Sequence, residues 1–120
     1  MSILIKGNNS TGGSSGSGKG FPPGDVNNVS IYYLNNKMYI KFSDPDNTVE
    51  NDITLSTWSS TIIVRKESSA PTSIKDGDIV LTNTEKDKYK ETDFIDINAE
   101  VDHIYYYRFF TLSTDKVYNN

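Results

Sequence analysis

Ten residues, HIYYYRFFTL (103–112), constrain the fold of this chain more than any other stretch. Successive side chains of a strand point to opposite faces, so Tyr105, Tyr107, Phe109 and Thr111 share one face. Ile104, Tyr106, Arg108 and Phe110 then share the other. Further stretches have the same texture. KMYIKFS (37–43) alternates, with Met38, Ile40 and Phe42 on one side and Lys37, Tyr39 and Lys41 on the other. VNNVSIYY (26–33) is rich in β-branched and aromatic residues and runs into Asn35-Asn36, a turn signal. STIIVRKE (60–67) reads as a strand with Ile62 and Val64 inward, and DIVLT (78–82) and YKETDFI (89–95) as shorter ones. KVYNN begins a last strand, which is either incomplete or continued in a longer polypeptide. No amphipathic helix pattern of useful length occurs.

Seven short strands punctuated by Asp44-Pro45-Asp46-Asn47, Pro71 and other turn residues predict an all-β fold, an antiparallel β-sandwich of the immunoglobulin-like kind. The sandwich should occupy residues 22–120. Seven of the eight glycines lie at or before Gly24, and GNNSTGGSSGSGKG (7–20) holds almost nothing that could be buried. It should behave as a flexible tether, stiffened at Phe21-Pro22-Pro23-Gly24 where the domain opens. Residues 1–21 thus form an arm that carries a short apolar segment, SILIKG (2–7). Such a segment is either a fraying end or a hook, with Ile3, Leu4, Ile5 and Lys6 docking on a partner as an added strand.

Composition closes several function classes. A net charge of −4 without a basic cluster argues against nucleic acid and anionic lipid as partners. EKDKYKE (85–91) alternates in sign and reads as a solvated face. Cysteine is absent, which removes disulfides, thiolate metal sites and cysteine nucleophiles. The opening MSILIKGNN has four apolar residues, too few for the apolar region of a signal peptide, and no stretch approaches a membrane span.

The order of motifs resembles the fibronectin type III-like domains of bacteriophage virion proteins and bacterial surface proteins. The residues that carry the resemblance are Pro23-Gly24, Ile40-x-Phe42, Pro45, Val64-Arg65-Lys66, Pro71-Thr72, Asp76-Gly77-x-x-Val80 and Tyr105-Tyr106-Tyr107-Arg108, over residues 22–118. Phe42 stands where that family has a tryptophan. NTVENDITLSTW (47–58) is longer than the family's connection, and is either an enlarged loop or a segment with strand pairing of its own. The resemblance implies that Tyr105 is a corner tyrosine whose hydroxyl bonds nearby backbone, a structural role.

Little catalytic chemistry is available. His103 is the sole histidine, and without a second one or any cysteine a zinc or transition-metal site is not expected. DPDNTVEND offers Asp44, Asp46, Glu50 and Asp52, but lacks the glycine and spacing of an EF-hand and reads as solvated turns. GSSGSGKG (13–20) resembles a phosphate-binding loop in its letters. Gly20 replaces the required hydroxyl, however, and Phe-Pro-Pro-Gly follows where a helix must begin. No catalytic residue, metal or cofactor is therefore expected.

The expectation is a non-enzymatic structural or adaptor protein of a phage particle or phage-tail-like assembly, placed in the virion and assembled in the host cytoplasm. Its partners would be other virion or tail-assembly proteins, in multiple copies, without nucleic acid or membrane insertion. The alternative is a carbohydrate- or receptor-binding module, including a capsid-surface decoration domain. Trp58 and Tyr106 would then contact a host-surface glycan, with Tyr32 and Tyr39 as further aromatic candidates. An accessory domain of a secreted enzyme is a third class.

Overall fold

The computed structural model describes residues 3–4 and 21–119, and these contain strands and no helix. The strands are β1 (Ile3–Leu4), β2 (Asn27–Leu34), β3 (Lys37–Ser43), β4 (Thr48–Glu50), β5 (Ile53–Ser56), β6 (Trp58–Lys66), β7 (Asp78–Asn83), β8 (Phe94–Asp96), β9 (Tyr106–Ser113) and β10 (Tyr118–Asn119). One sheet has the order β1-β9-β6-β7, with β10 also on β9, and a second has the order β2-β3-β8. Every pairing is antiparallel except β1 with β9.

The turns follow from their residues. Asn35 and Asn36 join β2 to β3 with φ of 51° and 64°, and Asn51 and Asp52 join β4 to β5 with φ of 53° and 65°. Two consecutive left-handed residues make the twist that suits a two-residue hairpin, and Asn and Asp tolerate that conformation best after Gly. The long segment 47–58 therefore carries a hairpin of its own, β4–β5.

The two sheets pack face to face in a β-sandwich-like arrangement around one core. Met38, Ile40 and Phe42 of β3 meet Ile63 of β6 and Tyr107 and Phe109 of β9, with Val26, Ala99 and Tyr105 completing the cluster. Phe42 and Phe109 contact each other edge to face across the sheets, with ring centroids 5.3 Å apart. The alternation read in β3 and β9 holds: Tyr105, Tyr107, Phe109 and Thr111 are all buried.

Two expectations fail. Ile62 and Val64 are buried, but they face away from the inter-sheet core and pack with Phe110 against Ile74, while Ile63 points into the core. A strand covered on both faces reads as a continuous apolar run, so alternation cannot say which residue is inside. The segment 89–95 is also not a strand, except at Phe94–Asp96. Residues 85–90 turn instead, with Lys88 N–H donating to the Glu85 carbonyl and Lys90 N–H to the Asp87 carbonyl. Tyr89 and Asp87 of that charged run are drawn in; the Tyr89 carbonyl accepts from Phe42 N–H at 3.0 Å and its ring lies against Phe42.

The outer cluster is roofed by the loop between β6 and β7. Lys66 Nζ donates to both oxygens of Asp76 at 2.8 and 3.0 Å, and Thr72 donates its N–H and hydroxyl to the same carboxylate. These bonds, that from Lys66 first, hold the Asp76 carboxyl down at about 2. Gly77 then passes so close that a Cβ there would lie 2.5 Å from the Arg65 carbonyl, at a φ of 139° that other residues avoid.

Truncating Ile63, which is fully buried between the sheets, to Ala should cost about 2–5 kcal/mol in a urea titration. Ile97→Ala, at a site 68% exposed, should stay within about 0.5 kcal/mol. Equal losses would mean that the core is misplaced.

Candidate functional site

The densest polar chemistry lies between the sheets. Arg65 shares its face of β6 with Ile63, so its guanidinium is carried inward and needs a counter-charge. Asp96, at the end of β8 in the opposite sheet, supplies it: Arg65 Nη1 donates to both carboxylate oxygens at 3.1 and 2.9 Å. The buried Tyr107 hydroxyl donates to Asp96 Oδ2 at 2.7 Å, and Arg65 also lies 4.8 Å over the Tyr105 ring. Burial, helped by the hydrogen bond to Asp96, pushes the Tyr107 hydroxyl far above the ordinary phenol range. Burial works against the Arg65 charge, but the hydrogen bond and charge of Asp96 outweigh it and hold the guanidinium above its usual value.

Arg65 and Asp96 line a cleft of about 530 Å³ between the edges of β7 and β8, together with Ile79, Val80, Phe94 and Ile97. The arrangement is a clamp. Arg65 and Tyr107 both bond Asp96, so the three side chains are engaged with one another. Asp78 touches Arg65 only loosely, at 3.7 Å from the rim.

A second buried carboxylate ties the end of β3 to the rest. Asp44 accepts from the Thr61 hydroxyl at 2.7 Å, from Asn83 Nδ2 at 3.0 Å and from Asp87 N–H at 2.8 Å. Burial raises its carboxyl above the usual range, while the bonds from Thr61 and Asp87 pull the other way. Asp46 is instead at the surface beside Lys86, and among the described residues no three His, Asp or Glu side chains gather as a metal site would need.

Trp58 and Tyr106 are not brought together. Trp58 pairs with Ser113 at one end of the β6–β9 ladder, and Tyr106 with Lys66 at the other. Trp58 is 9% exposed and its indole N–H donates to the Thr61 hydroxyl at 2.9 Å. Tyr106 is half-buried. Tyr32 and Tyr39 form a cross-strand pair with rings stacked at 5.1 Å, so each covers a face of the other. The hydroxyl oxygen of Tyr105 accepts from Glu100 N–H at 2.8 Å.

Ile3 and Leu4 form β1 and pair in parallel with Tyr106 and Tyr107 of this same chain. Ile5 and Lys6 lie outside the described residues, as does the Gly/Ser-rich stretch. The outer edge of β9 is thereby the one place where the arm meets the body among the described residues. The Arg65–Asp96–Tyr107 clamp was not foreseen. The signal for it was an arginine in register with inward Ile63, which is costly to bury without a carboxylate opposite.

No protein-family model matches this chain, and neither does any curated protein sequence or solved structure at a significant level. No helix among the described residues is long and apolar enough to cross a membrane.

Asp96→Ala strands the buried guanidinium and phenol, and should cost about 3–5 kcal/mol by chemical denaturation. Asp78→Ala, on the exposed rim, should change stability by less than about 0.5 kcal/mol.

His103 bridges two carboxylates, with Nδ1 2.8 Å from Glu67 and Nε2 3.1 Å from Glu100. The hydrogen bond to Glu67 raises its pKa above the usual imidazole value. The folded state thus binds this proton more tightly, so the contribution to stability is full below about pH 6.5 and is lost as pH rises through the folded value. The single imidazole in the NMR spectrum should titrate above about 6.5 and fall back toward it in Glu67→Gln. An unshifted midpoint in the parent chain would refute the bridge.

Proposed function

We propose that this chain is a non-enzymatic structural or adaptor protein of a phage particle or phage-tail-like assembly. Its body is a fibronectin type III-like sandwich acting as spacer or contact module, and its N-terminal arm anchors it to a neighbouring subunit. The sheet orders β2-β3-β8 and β10-β9-β6-β7 support this fold, since they suit a seven-stranded immunoglobulin-like sandwich with an extra hairpin between its second and third strands. The hydrogen bond from Glu100 N–H to the Tyr105 hydroxyl and the burial of Phe42 support it as well.

The observation that carries the assembly reading is β1. A segment on the far side of a Gly/Ser-rich stretch adds itself as a strand to the body's edge, which is how extended arms dock in β-augmentation. Main-chain hydrogen bonds would hold the arm, and the partners would be other virion or tail-assembly proteins present in many copies. The internally satisfied polar clusters favour a scaffold over an enzyme, because each titratable group among them already has a structural occupation.

Deleting residues 1–12 in the producing genome tests this. Purified particles should then lose the protein, while the truncated chain keeps the cooperative unfolding transition of the full one. Undiminished incorporation would reject the reading.

A further inference from the structure

The outer edge of β9 is shared by two short strands. Tyr106 and Tyr107 face Ile3 and Leu4 in parallel register, and Thr111 and Leu112 face Asn119 and Tyr118 in antiparallel register. Between them, Arg108, Phe109 and Phe110 have β6 on one side and no described strand on the other. An edge of this kind displays unpaired backbone donors and acceptors and is a template for another strand.

The body holds the other end of the connection close by. Gly24 accepts from the Thr111 hydroxyl and Pro23 from Asn119 Nδ2, both at 2.8 Å, so the chain enters the sandwich beside the C-terminal end of β9. β1 runs parallel to β9 and therefore heads toward that point. From Tyr107 to Thr111 the path is four strand residues, roughly 13 Å at about 3.3 Å each. Between Leu4 and Phe21 the sequence has 16 residues, enough for roughly 55 Å at full extension. That is about four times what an arm serving only its own edge requires. The molecule is 28 and 17 Å across its shorter axes, so the edge of a copy packed alongside falls within the same reach.

We infer that the edge of β9 at Tyr106 and Tyr107 is the acceptor for the Ile3–Leu4 strand of a second copy of this chain. In the isolated protein β1 closes its own edge; in an array, the arm of each copy pairs with β9 of the next in the same register. The exchange replaces each backbone hydrogen bond with an identical one, so the balance is set by effective concentration alone. A free chain favours the closed form, which also shields the edge from unregulated pairing. A crowded assembly favours the exchanged form. This inference rests on the assembly reading and names its partner and its socket.

The absence of cysteine makes disulfide trapping clean. Full-length Ile3→Cys is mixed with a chain that lacks residues 1–12 and carries Tyr106→Cys, whose β9 edge has no arm of its own. Oxidation should yield the mixed disulfide several-fold above the background set by Ile97→Cys in the same truncated chain. Full-length Tyr106→Cys at high protein concentration gives a second acceptor should the truncated one fold poorly. A yield no higher than the Ile97→Cys background with both acceptors overturns the inference. If truncation empties the particles while that yield stays at background, the arm reading stands and its socket is another protein. If the mixed disulfide forms while truncated chains enter particles normally, the acceptor stands and the assembly reading fails.

Discussion

The pairing of β6 with β9 is the constraint on which the rest of the molecule depends. Their ladder runs from Trp58 opposite Ser113 to Lys66 opposite Tyr106, with a single irregularity near Ser59. Both strands are covered on both faces: Ile63, Tyr107 and Phe109 look into the inter-sheet core, and Ile62, Val64 and Phe110 into the outer cluster. A slip of one residue would exchange the two sets and aim Arg65 away from Asp96. Register, core and clamp are therefore decided together.

Polar side chains then finish what the apolar pattern begins. Arg65 with Asp96 crosses between sheets, Asp44 gathers Thr61, Asn83 and Asp87, and Lys66 with Asp76 fastens the loop over the outer cluster. The first two join segments distant in sequence, and the third closes a single connection. The buried pair of Arg65 and Asp96 is costly to break, because removing one partner leaves the other charge buried and unpaired.

On the proposed reading, function falls to what the core leaves over, the edges. Within the larger sheet β6 is sealed by β7 and β9, and β9 in turn is partly capped by β1 and β10. The arm's own strand, β1, is the element that reaches this edge from the far side of the Gly/Ser-rich stretch. A scaffold of the proposed kind, with its interior polar groups paired, would make its contacts through backbone, where sequence requirements are loose and register does the selecting.

The sequence by itself determined the strand class, the β3 and β9 faces, the Asn-Asn turn and the glycine-rich separation of Ile3–Leu4 from the body, because these are local matters of periodicity and backbone freedom. It could not place Ile63 rather than Ile62 inside, since a run apolar on both sides carries no phase. Nor could it keep 89–93 out of a strand, an outcome decided by Tyr89 reaching Phe42. The Arg65–Asp96–Tyr107 clamp, the burial of Trp58 and the docking of β1 on β9 were decided only in three dimensions. Each depends on which distant residues the ladder of β6 and β9 brings within hydrogen-bonding range, and no local pattern encodes that distance.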